Sequence, residues 1–316
     1  MSDLPRLAEG TTTEGFAGVQ KLLDVRIENG WVQATLPNAG DDECHWSPWD
    51  AYYRNPKEPP FLRLLGCGSL DHDVVSFLQS NGAIVEYRQR AKGRITFPIA
   101  LFHFEKWQFL FVERLLMDQQ SENYRRVFIE QLSDAGTALQ KYKGPKERGP
   151  WDRAVRQVWY VVNRQDPPLR TSSDGRADWI PVLNALKSKL TKMEPASIQS
   201  AARRYITGIV MEKTRNLRLA FEIAPSGPRL YAHTDDLLES LYWMLADFFA
   251  GQKRLSTCAT CGRPFVGSGR YCPTKVECKE LGRRRLDWKR NKDKYNRTRR
   301  RTRRRTRRLK RHKKGK

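Results

Sequence analysis

The sequence lacks an apolar run that could cross a membrane, and it lacks the features of a secretory leader. The longest apolar stretch, residues 98 to 117, is interrupted by four charged side chains, and the first residues contain neither a basic nor an apolar segment. A membrane-spanning helix needs about 20 predominantly apolar residues, and a leader needs a basic segment followed by an apolar one. We therefore expect a cytoplasmic protein with no membrane span.

Local catalytic motifs are also absent. The chain contains no G-x-G-x-x-G, phosphate-binding P-loop, G-x-S-x-G or H-E-x-x-H, and these are the patterns that place a nucleophile, a phosphate or a metal at fixed spacing. Its 5 histidines are scattered along the sequence. We predict that the protein is not an enzyme, which leaves open only an active site assembled by the fold.

Acidic residues are scarce at the C-terminal end. From residue 279 to residue 316 there are 22 Lys or Arg against 3 Asp or Glu, a net charge of +19 that leaves only +5 of the total +24 for the rest of the chain. Residues 298 to 308 repeat Thr-Arg-Arg-Arg. Like charges at this density repel one another and oppose folding. We predict that residues 291–316 form a disordered basic tail and that residues 1–15, polar and Thr-rich, are also disordered.

Four of the 6 cysteines lie within one short stretch. Cys258, Cys261, Cys272 and Cys278 have the order C-x2-C, a ten-residue spacer and C-x5-C. Paired cysteines in a chain that is not secreted indicate a metal site, and four thiolates form a closed structural Zn²⁺ site without a position for a reacting water. We predict Zn²⁺ as the cofactor, while the isolated Cys44 and Cys67 are expected to be free thiols.

The residues between these cysteines indicate how the segment folds. Gly262 suits the positive φ of a metal-binding turn after the first pair. Phe265 and Tyr271 flank Gly-Ser-Gly, so the spacer is predicted to fold back as a short hairpin. Pro273 suits the first turn of a helix that would carry Cys278 back to the metal.

The C-x2-C-G-x-x-F start at Cys258 and the Tyr271-Cys272 pair resemble the CGNR-type zinc-finger proteins of bacteria, whose finger follows a domain often labelled ABATE. The resemblance covers roughly the last third of the chain, including a helix, a strand pair and a second helix before the finger. The Cys-Gly-Asn-Arg motif itself is not kept, because Cys278 is followed by Lys-Glu-Leu. The resemblance implies a treble-clef-like finger in a DNA-binding regulator.

The rest of the chain has the pattern of an α+β body that is mostly helical and contains β-hairpins. Asn29-Gly30 between two alternating runs is a strong hairpin signal, because a type I′ turn needs positive φ at both residues. Helices are predicted from residue 98, over 151–163, 179–193 and 197–213, and from Asp235-Asp236 to Gly251, with a strand pair around 225–228. The predicted regions are 16–145, 146–252 and 253–290, the last being the finger with a basic helix.

Basic side chains in and after the finger are the candidate nucleic-acid contacts. Leu281, Trp288 and Tyr295 recur every seven residues and would form an apolar stripe between arginines. The predicted contacts are Arg263, Arg270, Lys275, Arg283, Arg284, Arg285, Lys289, Arg290, Arg299, Arg300, Arg301, Arg303, Arg304 and Arg305. The tail would supply affinity through counterion release, and the finger any sequence preference.

The expected partner is nucleic acid, DNA more than RNA, with an anionic membrane surface or an acidic protein as the alternative for the tail. The body would bind a small molecule or a protein and so regulate the finger. The competing interpretation is an RNA-associated or protein-interaction adaptor in which the finger is only structural.

Overall fold

The structure is a computed structural model that divides into two compact units, Met1–Lys253 and Arg254–Lys316. It is mostly helical, with small antiparallel sheets. No helix among the described residues is long and apolar enough to cross a membrane. The structure describes residues 19–37, 45–46, 51, 55, 58–85, 88–89, 94–117, 121–171, 177–224, 227–233, 236–251, 253–273, 277–288 and 290–292.

Helices and strands alternate irregularly along the chain. The helices are α1 Phe61–Gly66, α2 Asp71–Asn81, α3 Ile99–Met117, α4 Ser121–Lys141, α5 Pro145–Asn163, α6 Ile180–Lys192, α7 Pro195–Lys213, α8 Leu237–Ala250, and α9 over 277–288 and 290–292. The strands are β1 Val19–Gln20, β2 Leu23–Glu28, β3 Trp31–Thr35, β4 His45–Trp46, β5 Arg88–Gln89, β6 Arg94–Pro98, β7 Arg170–Thr171, β8 Ala177–Asp178, β9 Arg218–Ala224, β10 Gly227–His233, β11 Leu255–Thr257 and β12 Pro264–Val266.

The largest sheet of the first unit has the antiparallel order β2-β3-β6-β5. Its β2–β3 turn confirms the hairpin predicted at Asn29-Gly30, where φ is 51° and 77°. Val32, Ala34 and Ile95 are buried on one face of the sheet, and α2 packs against β2. The sheet therefore has one face in the core and one face turned away from it.

Helix α3 lies at the centre of the helical core because its aromatic side chains contact several other helices. The ring centroid of Phe111 is 5.4 Å from that of Phe128 in α4 and 4.5 Å from that of Tyr205 in α7. Trp107 lies 5.0 Å from Trp151 of α5. Aromatic burial of this kind supplies much of the stabilisation of a core.

Helix α5 begins six residues before the predicted start at residue 151. Pro145 occupies its first turn, where a missing N–H costs nothing because that donor has no partner inside the helix. Pro150 lies inside the helix and is buried, so its ring packs into the core although it removes one backbone hydrogen bond. The predicted boundary between residues 145 and 146 thus falls in the first turn of α5.

Candidate metal centre and its basic helix

The first cysteine pair lies at the end of the β11–β12 hairpin. Strand β11 pairs antiparallel with β12, with Leu255 opposite Val266. The amide of Cys258 donates to the Arg263 carbonyl at 2.9 Å, and the amide of Gly262 donates to the Cys258 carbonyl at 2.9 Å. Gly262 has a φ of +72°, which confirms the predicted turn.

The predicted hairpin within the spacer is wrong, because β12 pairs with β11 and not with residues near Tyr271. The partner strand lies before the first cysteine, outside the segment from which the prediction was made, and its Leu255 is buried. The spacer returns to the first pair by another contact, in which the amide of Ala259 donates to the Arg270 carbonyl at 3.0 Å. This contact brings Cys272 close to the turn over residues 258–262 that carries the first cysteine pair, which we call the knuckle.

Cys278 reaches the cluster from the first turn of α9. The Thr260 hydroxyl donates to the Cys278 carbonyl at 2.8 Å, which ties α9 to the knuckle. Gly282, one turn further along, lies under the Tyr271 ring, and a Cβ at this position would come within 2.1 Å of that ring. No local sequence signal marks Thr260 or Gly282, because their roles come from the hydrogen bond to Cys278 and from the close approach of Tyr271.

The four thiols lie close enough together to bind one metal ion. Their sulfur atoms all lie within 4.8 Å of one another, and Cys261 Sγ is 3.8 Å from Cys272 Sγ. With Zn–S distances of about 2.3 Å, a regular ZnS₄ tetrahedron has edges of about 3.8 Å. Cys258, Cys272 and Cys278 are buried beside Phe265. The donor set and spacing are compatible with a closed structural Zn²⁺ site.

The protons of this cluster are held unequally. Burial raises the pKa of Cys258, but hydrogen bonds from the backbone of Cys261, Cys272 and Thr260 outweigh it and lower the pKa to about 6. Burial and hydrogen bonds with the other thiols raise the pKa of Cys278 to about 12. Because a metal binds the thiolate form of cysteine, metal binding at this cluster would release protons.

Helix α9 carries several of the predicted nucleic-acid contacts. Trp288 is 51% exposed and Leu281 is 44% exposed, and residues seven apart on a helix share a face. Lys292 Nζ lies 5.7 Å from the centroid of the Trp288 ring. Arg284 is four residues from Trp288 on the same side and makes only a 4.0 Å exposed contact with Glu280. The exposed arginines of the helix are Arg283, Arg284, Arg285 and Arg290.

The remaining predicted contacts divide into two groups. Arg263 and Arg270 are exposed on the knuckle side of the finger, where the Arg270 guanidinium lies 5.9 Å from the Tyr271 ring centroid. The others lie outside the described residues, namely Lys275, Lys289, Arg299, Arg300, Arg301, Arg303, Arg304 and Arg305, as does Tyr295 of the predicted apolar stripe. The structure therefore places six predicted contacts on the finger and its helix.

Outside the finger, no other group of Cys, His, Asp or Glu in the described part of the chain could hold a metal ion. Cys67 is a free thiol at the end of α1, as predicted, and Cys44 lies outside the described residues. Comparison with protein-family models, curated proteins and solved structures finds no match for the chain. The resemblance to CGNR-type fingers stays a prediction, and the metal site is supported by its own geometry.

Proposed function

We propose that the protein is a zinc-finger nucleic-acid-binding regulator, with DNA as the preferred partner. The observation that carries the proposal is the position of α9, which supplies both the fourth thiol, Cys278, and three consecutive exposed arginines, of which Arg284 lies on the same side as Trp288. A hairpin knuckle followed by a helix that bears the last ligand is also the arrangement expected of a treble-clef-like finger.

The metal would act on binding through α9. By holding Cys278 against the knuckle, Zn²⁺ fixes the start of the helix and so the direction in which Arg283, Arg284 and Arg285 project. Arginine side chains bind phosphates bidentately and release condensed counterions. The basic tail would add affinity without reading bases, whereas α9 and the exposed Arg263 and Arg270 would supply any sequence preference.

The test is the salt dependence of binding to duplex DNA, hairpin RNA and single strands, measured for the full chain and for a chain ending at Asn296. For duplex DNA, each phosphate contact adds about 0.9 to the slope of log K against log salt. We expect the shortened chain to keep selective binding with a shallower slope. A triple replacement of Arg283, Arg284 and Arg285 by Gln should reduce that slope by up to about 2.7.

The matched control replaces three exposed arginines of the first unit, Arg153, Arg156 and Arg203, by Gln. It removes the same charge, so an equal loss of binding would show that only net charge matters. If all binding disappears with the tail, the finger has no part in recognition and the proposal fails.

The second candidate function is an RNA-associated or protein-interaction adaptor in which the finger is only structural. The exposed Leu281 and Trp288 favour it, because exposed apolar residues on one face are suited to contact with another protein. Binding that depends on length but not on sequence or strand type would support this candidate. In either case we propose that the body binds a regulatory small molecule or protein.

A further inference from the structure

We propose that the outer face of the β2-β3-β6-β5 sheet binds a nucleoside monophosphate. This face carries a cavity of about 640 Å³, within the range of about 300–1,000 Å³ typical of small-molecule sites. The inference rests on the ligand-binding part of the proposed function and is independent of the finger.

The cavity follows from the alternation of the strands. Along β3, Val32 and Ala34 are buried, so Trp31, Gln33 and Thr35 project from the opposite face. Gln33 is paired with Arg26 of β2 on one side and with Thr96 of β6 on the other. Polar side chains from three strands thus form a row across the middle of the sheet, with hydrogen-bonding capacity directed away from the core.

A β-bulge forms one wall of the cavity. The register of β2 against β3 shifts between Leu23 and Arg26, and Asp24 within the bulge has a φ of +50°. A positive φ is uncommon for a residue other than glycine, and bulges often occur beside binding sites, where they redirect a side chain. The bulge places the exposed Asp24 on the cavity lining.

The cavity lining carries two arginines, Arg26 and Arg94, against one carboxylate, Asp24. Arg26 Nε lies 3.5 Å from a carboxylate oxygen of Glu28. Arg94 is exposed, lines the cavity and forms no ion pair with any residue in the described ranges. It pairs with Thr35 at the end of β3 opposite to Trp31. An anionic group would therefore bind at the Arg94 end.

The two ends of the site fit two different parts of one ligand. Trp31 is 39% exposed on the lining, and it stands four residues from Thr35, about 13 Å along an extended strand. A nucleoside monophosphate carries a planar base, ribose hydroxyls and a phosphate in that order. The base would stack on Trp31, the hydroxyls would meet Gln33 and Thr96, and the phosphate would bind Arg94.

Titration calorimetry with adenosine monophosphate and adenosine tests the proposal on the full chain. We expect the monophosphate to bind more tightly than adenosine. Arg94→Gln should weaken monophosphate binding about ten- to hundredfold, the range for a lost hydrogen bond to a charged group. Trp31→Ala should weaken both ligands, and Trp31→Phe should restore much of the affinity because a ring remains.

Arg203→Gln is the matched control, since it removes an exposed arginine of α7 far from the cavity lining. The basic tail also attracts phosphates, but tail binding would be equal in the wild type and in Arg94→Gln, and that result would overturn the proposal. Equal affinity for the monophosphate and adenosine would overturn it too. Displacement of the monophosphate by an oligonucleotide at equal nucleotide concentration would instead assign the sheet face to single-stranded nucleic acid.

The result of the monophosphate experiment does not depend on whether the finger binds nucleic acid. Arg94→Gln leaves the four thiols and α9 unchanged, so duplex binding should stay at the wild-type level if the finger binds nucleic acid. The unfolding temperature of Arg94→Gln should match the wild type because this side chain is exposed, and that of Trp31→Phe should stay close to it because an aromatic ring remains.

Discussion

At the scale of single residues, two carboxylates in α3 have unlike surroundings. Glu105 forms an ion pair with Lys213 at 2.6 Å, and each side chain is 16% exposed. Glu113 is buried, and among the described residues no cation forms an ion pair with it. Burial raises the pKa of Glu113 to about 7, although Arg114 partly opposes this. From the sequence, these charged residues indicate only that the segment does not span a membrane.

We predict that Glu113→Gln stabilises the protein at pH 8. The pKa of Glu113 is about 7 in the folded chain against an ordinary value of 4.5, so the folded state holds the proton more tightly. The contribution of this carboxyl to the free energy of unfolding is fully present below pH 4.5 and is lost as the pH rises through 7. The loss amounts to at most about 3 kcal/mol. Glutamine stays neutral, so the variant should lack this decline.

Urea unfolding at pH 5 and pH 8 measures the effect. Glu122→Gln is the control, because that carboxylate is exposed and paired only with Arg125 at the surface. If Glu113→Gln and Glu122→Gln change the free energy of unfolding equally at both pH values, Glu113 is not held neutral by burial.

At the scale of elements, helix ends were the features that the sequence predicted best. Asp236 caps α8 as expected, since its carboxylate accepts hydrogen bonds from the amides of Leu238 at 2.7 Å and Glu239 at 3.2 Å. The Gly251 end of this helix is also confirmed. Both signals depend on a few neighbouring residues. The predicted start of α5 was six residues too late, because the burial of Pro150, which keeps this proline inside the helix, is a tertiary contact.

Asp236→Ala should therefore cost about 1 kcal/mol of stability. The change leaves two amide donors at the start of α8 without a side-chain acceptor, while Leu241, Leu245 and Phe248 remain in the core. Asp236→Asn keeps an acceptor oxygen and should lose much less. Thermal unfolding of the wild type, Asp236→Ala and Asp236→Asn measures the effect. An equal loss of stability in the two variants would mean that the cap contributes nothing.

At the scale of the whole molecule, the two units differ in how they are stabilised. The first unit has a large aromatic and aliphatic core. Among the described residues of the second, the buried apolar side chains are Leu255, Phe265 and three cysteines, with Tyr271 packed against the cysteine cluster. So few apolar residues cannot offset the conformational entropy of folding. Metal binding, worth about 10–16 kcal/mol in small zinc fingers, would supply the difference.

We predict that Cys258→Ser abolishes stoichiometric zinc binding and unfolds only the finger. Elemental analysis should find one zinc per wild-type chain and none per variant chain. Hydrogen exchange should show loss of amide protection in 254–292 and unchanged protection in α3 and α7. Cys67→Ser, outside the cluster, should keep zinc and protection. Loss of protection throughout the Cys258→Ser chain would mean that both units unfold together.

The sequence alone determined the features that depend on near neighbours along the chain. The spacing of Cys258, Cys261, Cys272 and Cys278 predicted the thiol cluster, and Asn29-Gly30 predicted its hairpin. These signals need only a few residues, because turn and cap conformations and metal-ligand spacing are local. The charge of the C-terminal tail is likewise a property of composition.

Only the tertiary structure decided which separate segments meet. It paired β11 with β12 and placed Gly282 under Tyr271. It also set the β2 bulge beside the cavity that Trp31 and Arg94 line. Each of these contacts depends on register or on side-chain packing between different segments, and periodicity within one segment carries no information about either.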